Sequence, residues 1–527
     1  VTTIRCTVAA FVAALACFAV TSQAADLKVG LALEPSSIDP HYHNFTPNNA
    51  VAQHFFDGIA NFNNKQQPVP GLAQSWRSVD DITWEFTLRP GIHFHDGAPL
   101  TFDDIAFSVE RAGHIPNSPS SFAMFATGMR LVRISDTVFQ VKTAAPNPIV
   151  PNNLANIMIV ERVRAESAGN VEFNSGTATI GTGPYRFGGF VPGGKLTMIA
   201  NADYWGGKPA FDTVEVRFIK SGAPRVAALL SGDVDFIDAV PPPDIHRLRD
   251  DPRITVTSGV TNRLIFLGVD HFRAETPDVT GTGGKNPFQD VRVRRAISKA
   301  VNRDALVERM MEGAAEPAGQ MLPGFYFGTS PRLKPEAFDP EGARRLLTEA
   351  GYSKGFDVVL HGPNDRYVND AQVAQAVAQM LTRVGVRVSV EALPGNMFFP
   401  EATSGGPNHT PKFSFILNGI NSGTGESSAG LRSGLGTVDP VRGFGASNRG
   451  RYSNPAFDSL IEQALGTVDD TKRAELLARA IDLAIGQDVA IVPLYFQLSV
   501  WASRRGLIYT PRSDETTEVM SLRIGGQ

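Results

Sequence analysis

Hydrophobic and polar positions recur along this chain with two different periods, and the periods mark out its elements. Leu27, Val29, Leu31 and Leu33 alternate with polar or small residues, which predicts a strand from Asp26 to Leu33 with one buried face. The stretch Glu34 to Pro40, with Pro35 and Pro40, breaks it, and a helix is predicted from about Asn48 to Phe56. The clearest alternation runs from Asp81 to Leu88: Ile82, Trp84, Phe86 and Leu88 share one face, and Asp81, Thr83, Glu85 and Thr87 the other. Arg89-Pro90-Gly91 and His95-Asp96-Gly97 are turns. Thr101 and Asp104 then make a capping box, opening a helix whose buried stripe is Phe102, Ile105, Ala106 and Val109.

The same reading gives a strand pair introduced by Gly181 to Phe187, a strand from Thr213 to Ile219, a helix near Arg225 to Leu230 and a strand from Thr261 to Val269. Thr276 to Pro287, rich in Gly, Thr and Pro, is expected to be a surface loop. A helix beginning at Asp290 places Val293, Ala296, Ile297 and Ala300 on one side. A strand at Asp357 to Leu360, a helix at Ala371 to Thr382 and a strand at Val386 to Val390 follow, the strand-helix-strand pattern of a covered, mixed sheet. Two last strands, Ala490 to Phe496 and Leu498 to Ala502, are expected to return to the first half of the molecule.

Composition narrows the class. Arg5, an apolar run of 13 residues from Val8 to Val20, and Ser22-Gln23-Ala24 have the form of a secretory signal at residues 1–24, cleaved after Ala24. The run is too short to span a bilayer comfortably, which takes roughly 20 apolar residues. Leu15-Ala16-Cys17 leaves open lipidation at Cys17, although Ala14 stands where such a site wants Leu. Both cysteines, Cys6 and Cys17, fall inside this segment, so the mature chain has no disulfide, thiol nucleophile or thiolate metal site. A net charge of −4 without a long Lys or Arg run gives no footprint for nucleic acid or an anionic membrane.

Enzyme signatures are missing. No G-x-S-x-G elbow occurs, and Gly281-Thr282-Gly283-Gly284-Lys285 fails the phosphate-loop pattern, with Val279 at the first Gly position and Asn286 at the Ser/Thr position. His41 with His43, and His93 with His95, are spaced to share an ion on a strand, but a pair alone is a weak metal site, and His93 and His95 belong to a structural turn. No catalytic residue, metal ligand or cofactor is therefore expected.

Seven strings occur in order along the chain: LAQSW, WEFTLRPGIHFHDGAPLTFDDIAFSVER, GTGPYRF, NADYWGGKP, SGDVDF, FQDVRVRRAISKAVNRDALV and NRGRYSNPAFDSLIEQAL. With them the sequence resembles the family-5 extracellular solute-binding proteins, whose members bind peptides, dipeptides, glutathione and nickel complexes. The resemblance implies an α/β fold with mixed sheets, a two-lobed periplasmic-binding-protein clamp of type II-like form with an extra subdomain in lobe I. On that pattern residues 25–268 form lobe I, with the extra subdomain at 58–181; residues 269–488 form lobe II, and 489–527 return to lobe I. The implied function is that of the periplasmic substrate-binding component of an ABC importer. It would act as a monomer, binding a peptide or other small-molecule ligand between its lobes and delivering it to the inner-membrane ABC permease complex. A non-peptide anionic solute or a metal chelate is the alternative cargo; a periplasmic hydrolase or a chaperone-like holder is the alternative from another class.

The same resemblance points to ligand contacts. Related dipeptide binders use an Asp after a Gly-Trp pair to hold the peptide ammonium, a strong charge-assisted contact in a dry cleft. Here Leu417 to Glu426 has Ile420 in the Trp place, beside Asn418, and no Asp at that spacing, so Glu426 or Asp439 would have to stand in. Arg366 lies close to where relatives place an arginine for the ligand carboxylate, which a guanidinium fork matches. Tyr42, His43 and Asn44, and Met397, Phe398 and Phe399, fall near the expected cleft edges, where aromatic rings either stack on a ligand or pack.

Overall fold

The computed structural model describes residues 25–525. The signal-like segment 1–24, with Cys6 and Cys17, lies outside the described residues. Two strands run through the centre of the molecule: Ile254–Val269 and Ile491–Arg504, antiparallel from Ile254 opposite Arg504 to Gly268 opposite Ile491. They are the middle of one long sheet. On one flank, Asp26–Leu31 pairs in parallel with Thr213–Phe218, followed by Lys195–Ala200 and Tyr185–Phe190; the short strand Phe236–Ile237 joins this set to Ile491–Arg504. On the other flank, Phe415–Ile420 pairs with the second half of Ile254–Val269, and Phe356–Pro363 and Val386–Leu393 continue the sheet in parallel.

Each flank is a lobe with its own core. Leu27, Val29, Phe55, Phe56, Tyr185, Phe236 and Trp501 fill the first. Phe288, Val293, Ile297, Val373, Val377, Leu381 and Phe415 fill the second, with a helical annex around Phe457, Ile461, Leu477 and Ile481. A separate four-stranded sheet, Ala73–Asp80, Thr83–Leu88, Val138–Thr143 and Met129–Arg133, packs with the helix Phe102–Gly113 around Phe86, Ile105, Val109 and Phe139. The capping box is present: Asp104 N–H donates to Thr101 Oγ1, and Thr101 N–H donates to the Asp104 carboxylate at 2.9 Å. A cap of this kind contributes about 1 kcal/mol to the helix.

The period-2 and period-3.6 patterns therefore found the elements, with three corrections. Strands end where the buried face ends: Leu33 is 51% exposed beyond Asp26–Leu31, and Ile82 is 43% exposed before Thr83–Leu88. The strand expected from Thr261 begins at Ile254, because Ile254 to Val260 pairs with Leu498 to Arg504; from Leu264 to Gly268 it is paired on both sides. The two terminal strands are one, Ile491–Arg504: Gln497 stays in the strand by pairing with Ala315, and the irregularity falls on the partner between Val260 and Leu264.

Candidate ligand-binding cleft

A cavity of about 610 Å³ opens where Ile254–Val269 passes from one lobe to the other, within the size range of small-molecule sites. Asn262, Arg263 and Phe266 of that strand form its floor. The first-lobe wall is mostly amide and apolar: Asn44, Phe45, Asn49 and Gln53 around the helix Thr46–Phe55, and Gln66, Phe122, Phe125 and Asn156 from the subdomain, with Asp514 and Thr516 from the C-terminal segment. The second-lobe wall comprises Arg366, Tyr367, Phe399, the segment Asn418 to Gly423, Ser433, Ser447 and Arg449.

The segment Asn418 to Gly425 is held from both sides. Tyr367 Oη accepts the Gly419 N–H at 3.0 Å. Gln66 and Asn262 both donate side-chain N–H groups to the Ser422 carbonyl, at 2.9 and 2.7 Å. Asn156 donates to the Gly423 carbonyl at 3.2 Å and Asn152 to that of Thr424 at 2.7 Å. Gly425 has φ +70°, and a Cβ there would lie 1.9 Å from the Gln66 carbonyl oxygen, so only glycine lets this second-lobe loop touch the subdomain.

Charges around the cavity fall into two groups. Arg263 is paired with Glu515 at 2.6 Å, and Asp514 with Arg512 at 2.6 Å. Burial raises the Tyr367 hydroxyl pKa, while the nearby Arg263, Arg366 and Arg449 pull it the other way. Arg366 and Arg449 form no ion pair among the described residues. Arg366 is exposed and lies over the Tyr367 ring at 5.3 Å. Arg449 is half-buried over the Phe399 ring at 5.5 Å, with Nε donating to Thr403 Oγ1 at 3.2 Å; burial away from any anion lowers its pKa.

Of the residues singled out from the sequence, Arg366, Asn418 and Ile420 line the cavity, as do Asn44 and Phe399, whereas Tyr42, His43, Met397, Phe398, Glu426 and Asp439 do not. Glu426 is buried as the N-cap of the helix Ser427–Leu435 and is paired with Arg473 at 2.7 Å. Asp439 turns outward to Arg442, at 2.7 Å. Phe398 packs fully buried against Phe413 and Ile416, and its neighbour Phe399 faces the cleft; in a helix, adjacent residues point about 100° apart. His43 stands behind Phe45, stacked at 5.1 Å and hydrogen-bonded to Ser36 at 2.9 Å; Tyr42 beside it is half-buried, with its N–H donating to the Asp39 carbonyl. The histidine pairs serve architecture: His41 contacts the Met158 carbonyl and the Arg111 guanidinium, and His95 the Gly183 carbonyl, and burial lowers the pKa of each to about 4. Sequence reasoning missed Gln66, Asn156, Arg263 and Arg449 as cleft residues. Arg449 sits inside the NRGRY string, where it marked family and not site.

The family model for bacterial extracellular solute-binding proteins, family 5 (middle), matches residues 67–439. The chain belongs to family 5. The glutathione-binding protein GsiB of Pectobacterium atrosepticum is 27% identical to it over 455 residues, 85% of this chain and 84% of that protein. Two solved structures show the shared fold. HbpA2 from Haemophilus parasuis superposes with TM-score 0.80 at 21% identity, covering 95% of this chain and 99% of that one. DppA from Helicobacter pylori in complex with the peptide STSA superposes with TM-score 0.73 at 21% identity, covering 95% and 98%. As a family 5 protein the chain binds a small solute or peptide for an ABC importer. No helix among the described residues is long and apolar enough to cross a membrane.

Proposed function

We propose that this chain is a periplasmic receptor, without catalytic activity of its own, that takes a small peptide-like acid into the interlobe cleft and holds its carboxylate on Arg366. The observation that carries this reading is Arg366 itself: a guanidinium that lines the cavity, is stacked on Tyr367 and has no acidic partner among the described residues. Residues 25–268 with 489–527, and residues 269–488, are proposed as the two bodies that move, with 58–181 as the subdomain of the first. A ligand that touches both walls stabilises their closed arrangement by its preference for that state, and taking closure from 1:99 to 99:1 requires about 5.5 kcal/mol of such preference. The named ligands of GsiB and DppA, glutathione and a peptide, fit a cavity of this size.

A second reading, a non-peptide acid, is favoured by one specific feature. A peptide ammonium calls for a free carboxylate, and the acidic residue lining the cavity, Asp514, is already paired with Arg512. The test is a melting-temperature screen against di- to pentapeptides, glutathione, opines, small organic acids and nickel chelates, since a ligand that binds only the folded state raises the transition. A rise with carboxylate-bearing solutes, abolished in Arg366→Gln, is expected. Turnover of peptides, or no stabilisation by any small solute, would reject the receptor reading.

A further inference from the structure

Arg449 is held in place by its own loop. Asn448 donates side-chain N–H groups to the Gly436 and Tyr452 carbonyls, both at 2.8 Å, and accepts the Tyr452 N–H at 3.1 Å. A Cβ at Gly450 would lie 2.3 Å from the Val269 carbonyl oxygen, so the loop is seated directly on the crossing strand. Between these two fixed points Arg449 projects beside Ser447 into the cavity, its Nε taken by Thr403 and its remaining N–H groups without a protein partner among the described residues. Elsewhere in this lobe the buried guanidiniums have partners: Arg473, 4% exposed, pairs with Glu426, and Arg294 and Arg303 donate to backbone carbonyls such as those of Asp488, Phe288, Pro493 and Ser298. A guanidinium held away from water without an anion costs free energy, and an arriving carboxylate removes that cost.

We infer that Arg449 is a second anion anchor beside Arg366, so that the solute of this cleft is an acid with two anionic groups, one for each guanidinium, and without need of an ammonium. This rests on the reading of the cleft as the solute site. The other charged residues lining the cavity support it: Arg263 is paired with Glu515 and Asp514 with Arg512, which leaves Arg366 and Arg449 as the lining charges without an ion pair among the described residues. The first-lobe wall, with the amides of Asn44, Asn49, Gln53, Gln66 and Asn156, suits the uncharged amide or hydroxyl groups between two such ends.

Three matched compounds test this by calorimetric titration of the full mature chain: butyryl-Gly-Gly with one carboxylate, glutaryl-Gly-Gly with two, and γ-glutamyl-Gly-Gly with two and an ammonium. The glutaryl compound is expected to bind at least tenfold more tightly than the butyryl one, and the ammonium of the γ-glutamyl compound to weaken binding. Arg449→Gln should erase the glutaryl advantage, bringing the diacid to the affinity of the monoacid, without lowering the apo melting temperature; Arg449→Lys, which keeps the charge, should restore part of it. Equal binding of the mono- and diacid, or an Arg449→Gln variant that keeps the preference, overturns the second anchor and leaves the receptor reading standing. So does failure of all three compounds while other solutes stabilise the protein. If no solute of any kind stabilises it, both readings fall.

Discussion

On the first-lobe side of the cleft, ionised groups are ion-paired within the protein: Arg111 with Asp39 at 2.7 Å, and Arg512 with Asp514 and Glu518 at 2.6 and 2.8 Å. The floor follows the same rule with Arg263 and Glu515. On the second-lobe wall, Arg366 and Arg449 have no ion pair among the described residues and lie against Tyr367 and Phe399. The contrast separates two uses of charge in one cavity. Paired groups fix loops and crossing strands; the unpaired ones are those we propose hold attraction in reserve for a ligand.

The comparison breaks most sharply at the buried pair behind the second-lobe wall. Glu426→Ala leaves Arg473 buried without its anion and the helix Ser427–Leu435 without its cap, and should destabilise the protein by about 3–5 kcal/mol in urea unfolding. If Glu426 instead served the ligand, affinity and not stability would respond. Acid provides the next largest effect. His41, buried against Arg111, has its pKa lowered to about 4 from the ordinary 6.5, so the unfolded chain binds the proton that the folded one refuses. Stability present above pH 6.5 is therefore lost as pH falls towards 4, by roughly 3 kcal/mol for this group alone. His95 and His271, also lowered to about 4, act in the same direction. Thermal scans should show that fall, whereas affinity for an acid held by guanidiniums should stay flat between pH 6 and pH 8, near neutrality.

Smaller effects sharpen the account of the walls. Arg366→Gln should cost about 2–3 kcal/mol in binding a carboxylate solute and leave urea unfolding unchanged. Gly425→Ala, which forces a Cβ against the Gln66 carbonyl, should weaken binding about tenfold, about 1.4 kcal/mol, by holding the second-lobe loop away from the subdomain. A Gly425→Ala protein with wild-type affinity would remove that contact from the account.

Most of the fold was legible because burial follows period. The strand-helix-strand unit Phe356–Pro363, Asp370–Thr382 and Val386–Leu393 and the capped helix Phe102–Gly113 carry their patterns in short, local segments. The full length of the crossing strands was not legible, since Ile254 to Val260 is kept extended by pairing with Leu498 to Arg504, far away in the chain. The cleft was read only in part for the same reason. Arg366 and Asn418 stood out by the resemblance to related binders, but whether an acidic residue is free depends on a distant partner: Glu426 meets Arg473 and Asp514 meets Arg512. Phe398 and Phe399 show the limit of adjacent identical residues, where one position separates core from cleft.

The central claim is that unpaired guanidiniums on one wall select an acid for import. Its most direct test is calorimetric titration of the tightest-binding acid into the wild type and into a variant carrying both Arg366→Gln and Arg449→Gln, with urea unfolding run beside it. The account predicts that binding is lost in the double variant while folding stability is retained. Binding of the same acid at wild-type affinity by the double variant would contradict it.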